Sequence, residues 1–325
     1  MPASDPDHAK TVAALTAAQR YYLQDLTMDA IAAELGTSRS TVSRLLAFAR
    51  ESGLVEIRIR SPFDAGLELE RAILARHKVT AHVVPVPESI SDIDRLERVA
   101  MTAGRILGGF IDSNMVVGVA WGSTLGAISR HLVPSPTHNT VVVQMNGAGN
   151  VQTTGIDYAS EILHRFGEAF GAQVQQFPVP AFFDDPATRD ALWRERSTKR
   201  LLAVQARMDV AVFGLGSPFA EVPSQVYIGG YLDAADYRSL SDDRVVGDVA
   251  TVFYREDGSS DGIALNARAS GPSLTRLRRV ARRVAVVSGV QKLPSLRGAL
   301  AAGVITDLVL DEGLAAALVS PHPAR

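Results

Sequence analysis

The sequence predicts an α/β protein in two parts, an N-terminal helix-turn-helix domain followed by a doubly wound, mostly parallel sheet domain. Three observations predict it. Residues 27–50 carry caps, a turn glycine and apolar spacings that specify two short helices packed at close quarters. From Val79 onward, short β-branched runs alternate with longer amphipathic ones, the pattern of parallel strands covered by helices on both faces. A chain of 325 residues, 46% of them hydrophobic, is too long for a three-helix unit alone and suits a small domain beside a larger core. The boundary is expected at Pro62, giving domains 1–62 and 63–325.

Residues 1–10 are expected to be disordered, and the acidic start M-P-A-S-D-P-D-H lacks the apolar centre of a signal peptide. An alanine-rich helix is expected from Thr11 to Leu26, with Val12, Leu15, Tyr22, Leu23 and Leu26 as its apolar positions. Thr27 can then cap a second helix by accepting from a first-turn amide, and Asp29 complements the positive helix end. Ile31, Ala32 and Leu35 share one face, and Gly36 follows where a left-handed C-cap wants no β-carbon. Ser38 caps a third helix, whose buried stripe is Val42, Leu45 and Leu46.

This is the pattern of a DNA-binding helix-turn-helix. A recognition helix presents its first turns to base edges in the major groove. Here those outward positions are Thr37, Ser38, Arg39, Ser40, Thr41 and Arg44, all donors and none acidic. The plainer reading is an ordinary helical hairpin with a polar face. Alanine at the close approach, glycine at the turn and two apolar anchors argue together for the reader. With a net charge of −2 the chain is not coated in basic residues, so DNA contact falls to a local patch. Arg39, Arg44, Arg50, Arg58 and Arg60 outnumber Glu51 and Glu56 there, a modest excess that fits a reader working in pairs. Leu54–Ile59 alternates apolar and charged residues and reads as a small wing, with Arg58 and Arg60 near phosphates.

In the second domain a short amphipathic helix, Gly66–His77, is expected to connect and to offer a dimer contact. Strands follow at Val79, at M-V-V-G-V-A-W, at T-V-V-V-Q-M-N and at A-Q-V-Q-Q-F-P-V. D-V-A-V-F-G-L-G, V-G-D-V-A-T-V-F-Y, R-V-A-V-V-S-G and D-L-V-L complete the series, all assigned to the parallel sheet. Helices are expected at 98–110, 158–170 and 187–206.

In such sheets ligands collect at the carboxyl ends of strands. One strand runs into Gly122, Ser123 and Thr124, where backbone amides and hydroxyls can cradle an anionic oxygen. A plain strand-to-helix turn capped by Ser123 is the alternative. Asn146 stands at a second strand end, and Gly214 and Gly216 at a third let backbone approach a ligand. These glycines are not a dinucleotide fingerprint, because residue 219 is phenylalanine. Asp248 and Lys292 follow later strands, and Lys292 is either solvated or turned to an anion in the cleft.

Catalytic constellations are scarce. The 7 histidines show no metal-ligand spacing, and the 0 cysteines exclude disulfides and thiolate chemistry. Ser123 lacks a nucleophile elbow, since residue 121 is tryptophan. The arginines at 276, 278, 279, 282 and 283 read as a solvated helix face rather than a second nucleic-acid patch. No stretch approaches the ~18 apolar residues of a membrane span.

The helix-turn-helix, W-G-S-T-L, V-V-Q-M-N-G-A, F-G-L-G-S, V-G-D-V-A-T-V-F-Y-R-E-D-G and V-S-G-V-Q-K-L-P-S-L-R-G-A-L together resemble the SorC family of bacterial sugar-responsive transcriptional regulators. The resemblance covers nearly the whole chain after residue 10. It implies a large domain similar to sugar-phosphate isomerase folds but serving as an effector sensor. It also implies roles: Gly122, Ser123 and Thr124 hold a phosphate or terminal oxygen, Asp248 accepts from sugar hydroxyls and Lys292 pairs with an anion. Asn146 stands where some sugar-phosphate-binding members have arginine, and Ser288-Gly289 replaces a usual glycine pair. A singly phosphorylated or unphosphorylated sugar or polyol is therefore expected rather than a bisphosphate.

The expected function is a cytoplasmic regulator of carbohydrate metabolism, a homodimer or homotetramer, binding operator DNA and an effector, without cofactor, metal or membrane. The competing reading is a sugar-phosphate isomerase or deaminase with a DNA-binding appendage, using Asp248 and Lys292 as base and electrophile. An architectural DNA-binding protein would leave the glycine-lined strand ends unexplained.

Overall fold

The computed structural model describes residues 6–55, 62–87, 89–219 and 224–320. The chain divides into two compact units, Met1–Ser61 and Pro62–Arg325.

The first unit holds α1 (Pro6–Tyr22), α2 (Met28–Glu34) and α3 (Arg39–Glu51). Thr27 accepts from the Ala30 amide at 3.2 Å and Ser38 from the Thr41 amide at 3.2 Å, so both helices start on the expected caps. Gly36 takes φ +62°, and the Thr37 amide closes on the Ala32 carbonyl at 2.9 Å. The core is Ala14, Ala17, Ala18, Ile31, Ala32, Val42, Leu46 and Ala49, with Leu45 half-buried against it. Two expectations for α1 are corrected. It starts at Pro6 and ends at Tyr22, so residues 6–10 are helical. Its buried face is alanine, while Val12, Leu15 and Leu23 are exposed. Small side chains let α1 lie close against α3, and larger ones there would hold them apart. The wing expected over Leu54–Ile59, with Arg58 and Arg60, lies outside the described residues beyond Val55.

The second unit opens with a helix that begins at Pro62, a turn before the expected Gly66, and ends at His77. Among the described residues nine strands follow: β1 (Thr80–Val84), β2 (Val116–Val119), β3 (Val141–Gln144), β4 (Gln173–Gln175), β5 (Val210–Gly214), β6 (Val245–Val249), β7 (Val252–Arg255), β8 (Arg282–Val287) and β9 (Asp307–Asp311). Seven form one parallel sheet in the order β1-β9-β8-β5-β2-β3-β4. Successive strand residues alternate between two apolar cores. Val210, Val212, Val284 and Val286 point into one, and Ala211, Phe213, Ala285 and Val287 into the other. From β2 the chain winds outward through β3 and β4, then returns to place β5 on the other side of β2. That reversal leaves a crevice at the carboxyl ends of β2 and β5.

Four sequence expectations change. β6 and β7 leave the main sheet and pair with each other as an antiparallel hairpin. Its turn is Ala250-Thr251, with φ of 46° and 69°. A two-residue hairpin needs that left-handed backbone, but the sequence lacks the Asn-Gly or Asp-Gly that would announce it. The long helix expected over 187–206 breaks into Pro186–Trp193 and Arg196–Gln205, because Glu195 is extended (ψ 145°) and starts the second piece. The helix expected at 98–110 runs from Asp92 to Leu107, started by Ser91, whose hydroxyl accepts from the Asp94 amide. The arginine run does not share a helix face, since its helix is only Leu274–Leu277 and Arg282 and Arg283 open β8.

Candidate functional site

A cleft occupies the crevice at the switch in strand order. Its lining includes all eight residues singled out in the sequence: Gly122, Ser123, Thr124, Asn146, Gly214, Gly216, Asp248 and Lys292. Different elements bring them there. β2 ends into Gly122, whose φ of +137° turns the chain into the helix Ser123–Arg130. No side chain caps that helix, so its first amides face the cleft without a side-chain acceptor. This corrects the alternative in which Ser123 serves as cap. Gly214 ends β5, and a β-carbon there would lie 2.9 Å from Thr124 Oγ1. Gly216 bridges to the hairpin, its amide donating to the Asp248 carbonyl at 2.9 Å.

The polar side chains are deeply buried. Asn146 Oδ1 and Asp248 Oδ1 have no hydrogen-bond partner among the described residues. A buried acceptor left unmatched is costly; the Tyr227 hydroxyl, itself unmatched, neighbours Asp248, and a hydroxyl entering the cleft would be a donor for Asn146 Oδ1 and a further one for Asp248. Asp248 Oδ2 accepts from the Thr251 amide at 3.3 Å. Burial pushes the Asp248 carboxyl up to about 6, against the opposing effects of the Thr251 amide, the neighbouring Tyr227 hydroxyl and the Lys292 charge. Burial likewise lowers the Lys292 ammonium to about 8, while the negative charges of Asp248 and Asp92 resist the fall. Lys292 is thus buried beside a carboxylate, not solvated.

Surrounding contacts fix this cluster. Ser295 donates to the Gly216 carbonyl at 2.7 Å and lies 2.9 Å from the Tyr254 hydroxyl. Trp121 Nε1 donates to the Gly147 carbonyl at 2.7 Å, and its ring packs against Tyr231 at 5.1 Å between centroids. Sequence reasoning missed Trp121, Ser224, Gln225 and Thr251 as lining residues. Trp121 carried a signal, standing next to Gly122. Ser224 and Gln225 carried none, since the helix Gln225–Ile228 that bears on the cleft has only 4 residues.

Chemically, the cleft offers backbone amides and an ammonium to oxygen or phosphate at one set of positions, and two acceptors to hydroxyls at another. Among the described residues, no group of three or more metal-ligating side chains comes together, and no helix is long and apolar enough to cross a membrane.

On the first unit, Ser38, Arg39, Ser40 and Arg44 are exposed over the opening turns of α3, while Thr37 and Thr41 are half-buried. Ser38 Oγ lies 2.8 Å from Ser40 Oγ and 3.0 Å from Thr41 Oγ1. Arg44 donates to Thr41 Oγ1 at 3.4 Å, and Arg39 Nε lies 3.8 Å from Asp29. These exposed links are weak enough to exchange for other partners.

The fold and cleft define a class: an α/β domain with a polar, partly buried crevice at the carboxyl ends of its strands, joined to a helix-turn-helix unit. Residues 61–320 match the family model "Putative sugar-binding domain". The chain is 30% identical over 318 residues to the deoxyribonucleoside regulator of Bacillus subtilis, covering 97% of this chain and 99% of that one. It is similar over 80% of its length, with TM-score 0.75 and 57% identity, to the whole of a domain structure of a possible sugar-binding transcriptional regulator from Arthrobacter aurescens. The full-length sorbitol operon regulator SorC of Klebsiella pneumoniae shares the fold over 96% of this chain and 100% of its own, with TM-score 0.72 and 23% identity. The chain belongs to the SorC family of sugar-binding transcriptional regulators.

Proposed function

We propose that this protein is a DNA-binding transcriptional regulator of carbohydrate metabolism whose operator affinity responds to a sugar, polyol or sugar-phosphate effector. The observation that carries the effector half is the pair of buried, unmatched acceptors, Asn146 Oδ1 and Asp248 Oδ1, in a cleft that also holds Lys292. Hydroxyls of the effector donate to those acceptors, and its phosphate or terminal oxygen meets the amides of Gly122, Ser123 and Thr124 together with Lys292. Gly214 and Gly216 let the chain pass close beneath it.

The DNA half rests on α3, with Thr37, Ser38, Arg39, Ser40, Thr41 and Arg44 toward the major groove. A homodimer or homotetramer in the cytoplasm sets two recognition helices on half-sites about one DNA turn apart. Residues 1–62 serve as reader and 63–325 as effector-binding and oligomerisation domain. The effector alters DNA affinity only as far as it binds the two DNA-affinity states unequally.

Membership in a family of regulators favours this reading over a sugar-phosphate isomerase or deaminase, and among the described residues no histidine lines the cleft as a second proton carrier. A thermal-shift panel of sugars, polyols and sugar phosphates tests it. The true effector raises the melting temperature with the logarithm of its concentration over Kd, once that ratio is well above one, and is recovered unchanged after incubation. Conversion of the ligand, or an absence of any shift across the panel, overturns it.

A further inference from the structure

Beyond Val143 the third strand loses its outer neighbour, because its register with β4 ends at Val143 and Gln175. The chain nevertheless stays buried through Ala148, past the end of β3. On that side the ladder supplies no amides, and buried carbonyls left unmatched are costly. Side chains take the ladder's place. Gln205, the last residue of the helix Arg196–Gln205, donates through Nε2 to the Gln144 carbonyl at 2.8 Å and the Met145 carbonyl at 3.2 Å. Gln144 Nε2 donates to the Asn146 carbonyl at 2.8 Å, while its Oε1 accepts from the Phe177 amide at 2.9 Å. With the Trp121 bond to Gly147, a side-chain N–H meets every carbonyl from Gln144 to Gly147. Ser270 Oγ accepts from the Gly147 amide at 2.9 Å and donates to the Ala181 carbonyl at 2.9 Å. A β-carbon on Gly147 would lie 2.2 Å from the Val179 carbonyl oxygen, so the chain is hemmed in on that side too.

We propose that Gln205 and Ser270 are positioning residues of the effector site, holding the main chain at Asn146 so that its side chain meets the effector in one setting. Neither lines the cleft. Gln144, Gln205 and Ser270 are only 4%, 7% and 3% exposed, a depth at which glutamine is uncommon unless its amide is used. A strand that ended at the surface would leave its carbonyls to water and need none of these side chains. Here a buried segment outside the strand delivers Asn146, with Oδ1 unmatched, to the cleft wall. A binding side chain keeps its geometry when supporting bonds lock the chain that carries it. Once that segment loosens, a hydroxyl on the effector no longer finds its acceptor at a fixed place. The role rests on the effector reading proposed above, whereas the clamp itself does not.

Amide hydrogen exchange on the full chain, without ligand, tests the clamp. The Gln205 side chain bonds carbonyls in this segment, not amides. Faster exchange of the Met145 and Gly147 amides in Gln205→Met, expected at about tenfold or more, therefore reports a loosened segment. Protection retained in β8 and β9 shows that the variant folds. Calorimetric titration tests the role, with probes from the thermal-shift panel, ribose 5-phosphate, 2-deoxyribose 5-phosphate, sorbitol and sorbitol 6-phosphate among them. For a probe that binds, Gln205→Met raises Kd about fivefold or more in the wild-type background and less than about twofold in the Asn146→Ala background. A merely structural loss weakens binding equally in both. Ser270→Ala repeats the cycle and takes its place where Gln205→Met does not fold. Unchanged exchange overturns the clamp, and equal losses in the two backgrounds overturn the positioning role. Binding by no probe refutes the effector reading and the role with it, while the exchange result still decides the clamp.

Discussion

Replacing Gly216 by alanine puts the proposed site under a defined load. A β-carbon at 216 would lie 1.8 Å from Asp248 Oδ1 and 2.7 Å from its Cγ. Carbon and oxygen that are not bonded need about 3.5 Å, so the carboxylate has to move by more than 1 Å. The backbone has little freedom to give way. The Gly216 amide donates to the Asp248 carbonyl at 2.9 Å, and Ser295 holds the Gly216 carbonyl at 2.7 Å. The side chain of Asp248 therefore swings, and its bond with the Thr251 amide is lost. Overpacking of this kind costs about 1–3 kcal/mol of stability. Losing a hydrogen bond to a charged acceptor costs the effector about 1.5–3 kcal/mol, which weakens binding roughly ten- to hundredfold. Isothermal titration with the effector found by thermal shift measures the second quantity, and urea unfolding the first. Gly122→Ala is the informative comparison, because a β-carbon there meets nothing within 4 Å and only the backbone at φ +137° resists. An unchanged effector Kd in Gly216→Ala would refute the role assigned to Asp248.

Effector affinity is expected to peak between about pH 6 and pH 8, because an ionised Asp248 accepts a hydroxyl more strongly than a protonated one and Lys292 attracts an anion only when charged. The ligand-free fold shows the opposite trend: the raised Asp248 pKa contributes stability that is complete below its ordinary 3.8 and lost as pH rises through about 6. The lowered Lys292 pKa contributes stability above its ordinary 10.5, lost as pH falls through about 8, and both trends are readable from melting temperature against pH. Arg39→Ala and Arg44→Ala each weaken operator binding in gel shifts while leaving the effector thermal shift intact, and normal operator affinity in both variants would sink the assignment of α3. Trp121→Phe removes the donor to the buried Gly147 carbonyl and costs about 1–3 kcal/mol by urea unfolding. It also removes the effector-dependent change in fluorescence that Trp121, one of 2 tryptophans, gives from the cleft wall, whereas a fluorescence change that persists would point to Trp193.

Legibility in the sequence followed how local each signal was. Thr27, Gly36 and Ser38 act on amides within a few residues of themselves, so the turn between α2 and α3 could be read directly. Seven of the eight cleft residues were legible because strand ends in a parallel sheet converge, and each stood at or just past the end of an apolar run; Asp248, inside β6 of the hairpin, is the exception. The hairpin was not, because Val245–Val249 and Val252–Arg255 look like buried parallel strands and the turn between them uses alanine and threonine. Nothing local distinguishes Asp248 on a hairpin from Asp248 on the main sheet. Its isolated bridge to Gly216 is a contact made by tertiary structure. The alanine face of α1 was misread for a related reason, since hydrophobicity ranks leucine above alanine while a close helix contact reverses the order.

The division of labour inside the cleft has an evolutionary consequence. Gly122, Gly214 and Gly216 shape the floor by the path of the main chain, and a methyl at 216 is already too much. Asn146 and Asp248 present their side chains there as replaceable fittings, Asn146 just past β3 and Asp248 within β6, where the pairing with Phe253 and the bridge to Gly216 are made by the main chain. A lineage can therefore exchange one effector for another by altering the fittings while inheriting the floor, so a diversity of inducers can arise within one architecture without rebuilding it.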